Sequence, residues 1–371
     1  MPKRIKILIA PDSFKCSISA EAAAAAIARG LSRRYADAEL LSVPIADGGE
    51  GTLDALVPPA NRYTVRVTGT GGAPVLASYG HIGDTAVIEM AGAAGLTLVE
   101  EAHRRVADAT TYGVGELIKD ALDRGFRDFL LTVGGSGTND GGCGMLTALG
   151  ARFCKADGTA FLPTGGTLKE IAAIDTATLD LRLRACRFTL ATDVKNPLLG
   201  PNGATYVYAK QKGCTDAELP ALEAGMARYA DVLRQACGKD VAVIPGCGAG
   251  GGISAPLLGF FDAELRSGID AVLDAVQFDR LLAGADAVIT GEGKIDRQSL
   301  FGKAISGVCN AAGRAGVPVY AMVGCIGDDK QTLLDMGLRD ILAIGDIAPS
   351  PAYSMTHADE LLEQLAQRIE I

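Results

Sequence analysis

The sequence predicts an α/β protein built on a parallel sheet, and three observations carry that expectation. Short apolar runs recur near both ends of the chain, at 5–10, 40–45, 286–290, 317–323 and 341–344, as strands buried on both faces require. Segments of helical periodicity separate them, the pattern of strand-helix-strand units. Glycine is abundant, 47 of 371 residues, and it gathers where apolar runs stop, so those edges offer backbone in place of side-chain bulk.

Residues 5–10 read as a buried strand stopped by Pro11. After a loop carrying Asp12, Ser13, Lys15 and Cys16, Ser19 is placed to cap a helix whose Ala20, Ala24, Ile27 and Leu31 share one face. A strand at 40–45 leads to Asp47, Gly48, Gly49 and Glu50, then to a brief helix ended by Pro58 and Pro59. From Tyr63 the pattern changes: alternating strands at 63–67 and 86–90, with turns at Gly69, Gly71 and Gly72, suit a mixed or antiparallel sheet. The middle of the chain adds helices at about 115–124 and 216–237 and strands at 129–133, 187–191 and 241–244. Beyond 285 the alternation returns, with helices at 299–314 and 329–336 between the strands, and Thr356 is expected to cap a last helix burying Leu361, Leu362, Leu365 and Ile369. One strand-helix-strand unit is too small to stand alone. Both chain ends, 1–62 and 285–371, are therefore expected to build one sheet, with 63–284 an inserted α/β domain containing a mixed sheet.

Composition narrows the function. A hydrophobic share of 48% with 21% charged residues is ordinary for a globular protein. The net charge of −9 supplies no basic field for nucleic acid or an anionic membrane, but leaves room for a phosphorylated small molecule held by local lysines. Nine scattered cysteines, an odd number with no C-x-x-C pair, fit reduced thiols better than a disulfide framework or zinc site. The three histidines form no H-E-x-x-H. Residues 1–10 read as a short basic start running into a strand, not as a signal peptide, and no apolar run is long enough to span a membrane. The expected setting is the cytoplasm, as a monomer or homodimer acting on a small molecule.

The stretch 130–142 is the centre of the chemical argument. A strand-like run stops in a segment with five glycines, and Ser136, Thr138 and Asn139 stand between them, so backbone N–H groups and small polar tips face whatever comes close. The same residues also make an ordinary tight turn, and Asp140 suits either a helix cap or a cation. Four further loops, at 12–15, 47–51, 193–203 and 291–296, combine glycine with an acid, amide or lysine. Together they hold carboxylates for Mg²⁺ (Asp47, Glu50, Asp193), lysines for phosphate (Lys15, Lys294) and backbone cradles, the parts that phosphoryl transfer needs. Residues 246–251 match G-x-G-x-x-G, the one feature favouring a nicotinamide-dependent oxidoreductase, but no acidic strand end follows at the ribose-binding distance. A Walker loop is absent.

Eight segments in order, at 10–15, 44–52, 111–117, 134–142, 193–204, 211–213, 246–252 and 291–296, resemble the type-1 glycerate kinase family over nearly the whole chain. Cys16 stands where glycine is common in that family, Gly137 where alanine is, Thr192 where cysteine often precedes the aspartate, and Lys210 where proline often precedes Gln211-Lys212-Gly213. The resemblance implies ATP-dependent phosphorylation of D-glycerate with Mg²⁺, giving 2-phosphoglycerate. It also implies a Rossmann-like domain made by both chain ends, a second domain inserted in it, and a site in the cleft between. On these matches Asp193 is the expected base or orienting acid, with Lys15 and Lys294 as the catalytic lysines. Asp12, Ser13, Lys15 and Asp296 are the expected substrate contacts, and Asp47, Glu50 and Asp193 the Mg²⁺ ligands. Gly134, Gly135, Ser136, Thr138, Asn139, Gly248, Gly250 and Gly251 are expected to cradle the phosphates of ATP. The other readings are transfer to the 3-hydroxyl, a hydroxy-acid oxidoreductase, and a non-catalytic sensor of sugar acids or nucleotides.

Overall fold

In the computed structural model, which describes residues 4–300 and 303–371, the apolar runs at the two ends of the chain form one sheet. Its five strands lie in the order Leu338–Ala343, Val319–Ile326, Ala287–Ile295, Lys6–Pro11, Glu39–Ser42, and every pair is parallel. Residues 1–3 of the basic start, and Phe301 and Gly302 of the expected helix at 299–314, lie outside the described residues. Lys6–Pro11 pairs residue by residue with the strand some 280 positions later, from Ile7 opposite Ala287 to Pro11 opposite Gly291. Ile7, Ile9, Ala287 and Ile289 pack against helices Ala20–Arg34 and Ala358–Ala366 in one buried cluster. Helix Ala304–Ala315 packs on the same strands without sharing that cluster, as a sheet covered on both faces requires. The result is an α/β fold with the parallel sheet expected from the chain ends.

Ser19 caps the first helix, accepting a hydrogen bond from Ala22 N at 3.2 Å. Thr356 does not cap the last one. It ends the preceding helix, Pro351–Thr356, and turns its hydroxyl back to Ala352 O and Tyr353 O, while Leu361, Leu362, Leu365 and Ile369 are buried as the pattern predicts. A second correction concerns residues 291–296. The strand does not stop at 290 but continues to Ile295, because its neighbour Val319–Ile326 extends far enough to pair with Glu292, Lys294 and Ile295.

The chain divides into two compact units, Met1–Leu56 with Ser267–Ile371, and Val57–Arg266. The second join thus precedes helices Gly268–Ala275 and Phe278–Leu282, which go with the chain ends, whereas the sequence pattern put it at 284/285. The reason is a close approach: a Cβ on Gly268 would stand 1.8 Å from Asp47 O, so this helix start lies directly on the Asp47 loop.

The second unit holds a six-stranded sheet in the order Asp262–Arg266, Arg187–Ala191, Asp128–Thr132, Thr85–Glu89, Pro74–Ile82, Arg62–Thr68. Its last three strands are antiparallel neighbours and the rest pair in parallel, so the sheet is mixed. A small three-stranded antiparallel sheet accompanies it. The strand expected at 241–244 is absent; those residues form turns, and Val241 is drawn into the core beside Leu233 and Cys247 while Val243 is exposed. With no strand before it, the glycine run at 246–251 loses the setting that a dinucleotide fingerprint needs.

Leu362 is fully buried in the first unit's core, so Leu362→Ala should cost about 2–5 kcal/mol, read as a lower urea midpoint; a change under about 1 kcal/mol would mean that this helix is not part of the folding core.

Candidate active site

In the five-stranded sheet the chain leaves Lys6–Pro11 towards one edge and builds outward from Ala287–Ile295 towards the other, so these two adjacent strands form a topological switch point. Ligands of open α/β sheets bind outside the carboxyl ends of strands at such points. Here those ends deliver Asp12, Ser13 and Lys15 on one side and Glu292, Lys294 and Asp296 on the other. Asp47, Lys303, Gly324 and Gly345 join them around a cavity of about 610 Å³, within the range of nucleotide-sized pockets. Ile344, Ala348, Pro349, Pro351 and Met355 supply an apolar part of the lining.

Local contacts hold these groups. Asp12 N donates to Gly291 O at 2.8 Å, tying the first loop to the neighbouring strand. Asp47 Oδ1 accepts from Gly49 N at 3.0 Å, which orients the carboxylate within its turn. Ser299 Oγ donates to Glu292 Oε1 at 2.5 Å, and Lys294 Nζ pairs with Asp296 at 3.2 Å. Cys16, at the glycine-favouring position, has φ 63°, the left-handed conformation that an L side chain adopts at a cost.

Of the residues proposed from the sequence, Asp12, Ser13, Lys15, Asp47, Lys294 and Asp296 all line this cavity, and Glu50 does not. Glu50 is exposed on the turn after Asp47. Glu292 and Lys303 also line the cavity and stand outside the expected set. Glu292 lay inside a motif already singled out, and a strand continuing to Ile295 places it on the same face as Lys294, two residues on. Lys303 precedes helix Ala304–Ala315 and carried no signal beyond its charge.

The carboxylates sit in one another's field. Burial pushes the Asp12 carboxyl up to about 7, with Asp47 and Glu292 adding to the rise and the Ser13 N–H and Lys15 opposing it. Glu292 is raised too, first by burial and further by Asp296 and Asp47, against the Ser299 hydrogen bond and Lys303. Lys15 and Lys303 oppose these shifts without cancelling them. Among the described residues no three acidic, histidine or cysteine side chains are grouped closely enough to hold a metal ion by themselves. Magnesium ordinarily takes one or two carboxylates and completes its shell with phosphate oxygens and water, and this donor set fits that mode.

The inserted unit carries the remaining candidates. Gly134 and Gly135 are exposed after strand Asp128–Thr132, while Ser136, Thr138, Asn139 and Asp140 are buried. Asp140 serves the local backbone, accepting from Thr111 N and Oγ1, both at 2.8 Å, from Gly142 N and from Gly144 N. Gly248 and Gly251 are packed against protein: a Cβ on Gly251 would lie 2.1 Å from Thr138 O. Gly250 is half-buried beside Met90 and Val133. Thr138 Oγ1 and Asn139 Oδ1 are buried without a hydrogen-bond partner among the described residues. Asp193 is exposed just beyond strand Arg187–Ala191. A residue outside the expected set, Lys212, is fully buried, and its ammonium donates to Ser136 Oγ and Thr138 O, both at 2.8 Å. Its motif, residues 211–213, was noted in the sequence without a role for the lysine.

The raised Asp12 carboxyl makes a pH prediction. Between about pH 4, where the unfolded chain releases this proton, and about pH 7, the folded protein keeps it, so stability falls as pH rises through that window. Asp12→Asn should therefore gain in melting temperature over the parent as pH goes from 5 to 8, and a difference independent of pH would remove the strain assigned to Asp12.

The family model described as "Glycerate kinase family" matches residues 7–370. A glycerate kinase of Bacillus subtilis is 44% identical over 369 residues, covering 98% of this chain and 97% of its own. The glycerate 2-kinase of Escherichia coli K12 is 43% identical, covering 92% and 90%. The crystal structure of a candidate glycerate kinase 2 from Salmonella typhimurium LT2 superimposes with a TM-score of 0.89 at 41% identity, covering 99% of this chain and 97% of its own. With family model, sequence relatives and backbone in agreement over almost every residue, the chain belongs to the glycerate kinase family.

Proposed function

We propose that this enzyme transfers the γ-phosphoryl group of ATP to the 2-hydroxyl of D-glycerate. The observation that carries the reading is the cavity at the switch point, where Lys15, Lys294 and Lys303 and the carboxylates Asp12, Asp47 and Glu292 share one nucleotide-sized space in a chain of this family. The relative named as a glycerate 2-kinase supports the choice of hydroxyl.

In this reading the apolar lining of Ile344, Ala348 and Pro349 receives the base of the nucleotide, and Lys294 and Lys303 neutralise its phosphates. Ser13 and Lys15 hold the substrate carboxylate. Mg²⁺, when bound, offsets phosphate charge and helps to align the transferred group. Asp47, with Asp12 or Glu292, is the set that would hold it, and Glu50 is left out because it does not line the cavity. Asp193 is proposed to take or orient the hydroxyl proton, as the resemblance implies. Asp12 is the second candidate for that role, because its proton affinity near 7 matches what a general base requires at neutral pH. Cytoplasmic action is supported by nine unpaired cysteines. Among the described residues no helix is long and apolar enough to cross a membrane.

ADP release from MgATP with D-glycerate, with the phosphate located by phosphorus NMR coupling, tests the reaction: 2-phosphoglycerate is expected, and 3-phosphoglycerate or no product would refute the reading. The base is tested by comparing Asp193→Asn with Asp12→Asn. The variant that loses the base should drop in kcat by about 10²–10⁴ and lose the acidic limb of its pH profile, while the other changes chiefly KM. Near-normal turnover in folded Asp193→Asn would remove that residue from the mechanism.

A further inference from the structure

The inserted unit contains a cavity of its own, of about 190 Å³, too small for a nucleotide and of a size for a small ion or group. Three cationic side chains line it, Lys212, Arg104 and Arg105, with His103 beside them and Asp108 as the one carboxylate among the lining residues. Lys212 is the unusual member. It is 2% exposed, and two of its three ammonium protons are used, by Ser136 Oγ and Thr138 O. Neither of these hydrogen-bond partners is an anion. Burial accordingly pushes the Lys212 ammonium down to about 7, with the charge of Asp140 opposing the fall. Arg104 is held at the cavity by hydrogen bonds from its guanidinium to Val99 O and Gln211 O, with no carboxylate partner among the described residues. Arg105 is exposed.

A buried cation in the wall of a small cavity, with two guanidinium groups and a single carboxylate, Asp108, among the other lining residues, is the arrangement that a compact, doubly charged oxyanion satisfies. We propose that this cavity binds a phosphate group, with Lys212 as its buried counter-charge and Arg104 and Arg105 as its outer contacts. Lys212 then has two tasks that one geometry explains: it anchors the loop of Ser136 and Thr138 through its two used protons, and it presents the third to the anion. The phosphate has two sources with the same chemistry, free inorganic phosphate or a phosphoryl group of the nucleotide or product. The site itself does not depend on which hydroxyl of glycerate is phosphorylated.

The test is calorimetric titration of inorganic phosphate into the full-length protein and into Lys212→Met, Arg105→Ala and Lys15→Ala, with turnover of D-glycerate measured on the same preparations so that the kinase reading is judged separately. The parent should bind phosphate, Lys212→Met should weaken it by about tenfold or more, Arg105→Ala by a few-fold, and Lys15→Ala should leave the binding seen at this cavity intact. Because Lys212→Met removes a structural anchor, the exposed Arg105→Ala variant decides the matter if the former fails to fold. Absence of phosphate binding in the parent, or binding lost in Lys15→Ala and unchanged in Arg105→Ala, overturns the proposal. Repeating the titration with ATP and with 2-phosphoglycerate assigns the source: displacement of phosphate by either supports the site and names the molecule that fills it, and displacement by neither supports a site for free phosphate.

Discussion

The pairing of Lys6–Pro11 with Ala287–Ile295 is the constraint on which the first unit depends. It joins segments some 280 residues apart, so the ladder forms only after a large loop has been closed. Loop-closure entropy grows slowly with length, and a folded insertion of about 210 residues is therefore tolerable where a few extra residues inside the strand would not be. Because every neighbouring pair in this sheet is parallel, the carboxyl ends of the strands collect on one edge. Asp12 and Glu292 come together for that reason and no other.

That convergence has an energetic cost, which the proton affinity of Asp12 records. Three carboxylates in a shared, partly desolvated space repel each other, and burial makes the repulsion stronger. A fold selected for stability alone would disperse them or pair each with an arginine. Instead Lys15, Lys294 and Lys303 stand around the same cavity with only Lys294 closely paired among the described contacts, to Asp296. Charge of both signs lines one cavity and is left for a charged ligand to connect.

The glycine-rich loops of the inserted unit have a different physical basis. Ser136, Thr138 and Asn139 are buried, and glycines at 248 and 251 are required by the closeness of neighbouring backbone. Composition marks such residues as loop-like and polar, which invites a ligand-binding reading at every one of them. The fold separates two cases that look alike in sequence: Gly134 and Gly135 remain exposed, whereas the later residues are consumed by packing and by the Lys212 ammonium.

What the sequence determined by itself was local: short apolar runs that must be buried strands, a Ser19 cap, an amphipathic last helix, and loops whose acids and lysines follow strands. These are set by interactions within a few residues, which hydrophobic period and capping chemistry report directly. The resemblance along eight ordered segments added the family, since it compares whole loops and not single spacings. Tertiary structure decided the rest. Whether 241–244 is a strand depended on a neighbour to pair with, and none was offered; whether Ala287–Ile295 runs through Glu292 and Lys294 depended on one that was. Thr356 turns to carbonyls only three and four residues before it, whereas the lining of the candidate cavity by Glu292 and Lys303 and the burial of Lys212 arise from contacts between residues distant along the chain. No periodicity encodes those contacts, because their energy appears only when the two segments are already adjacent.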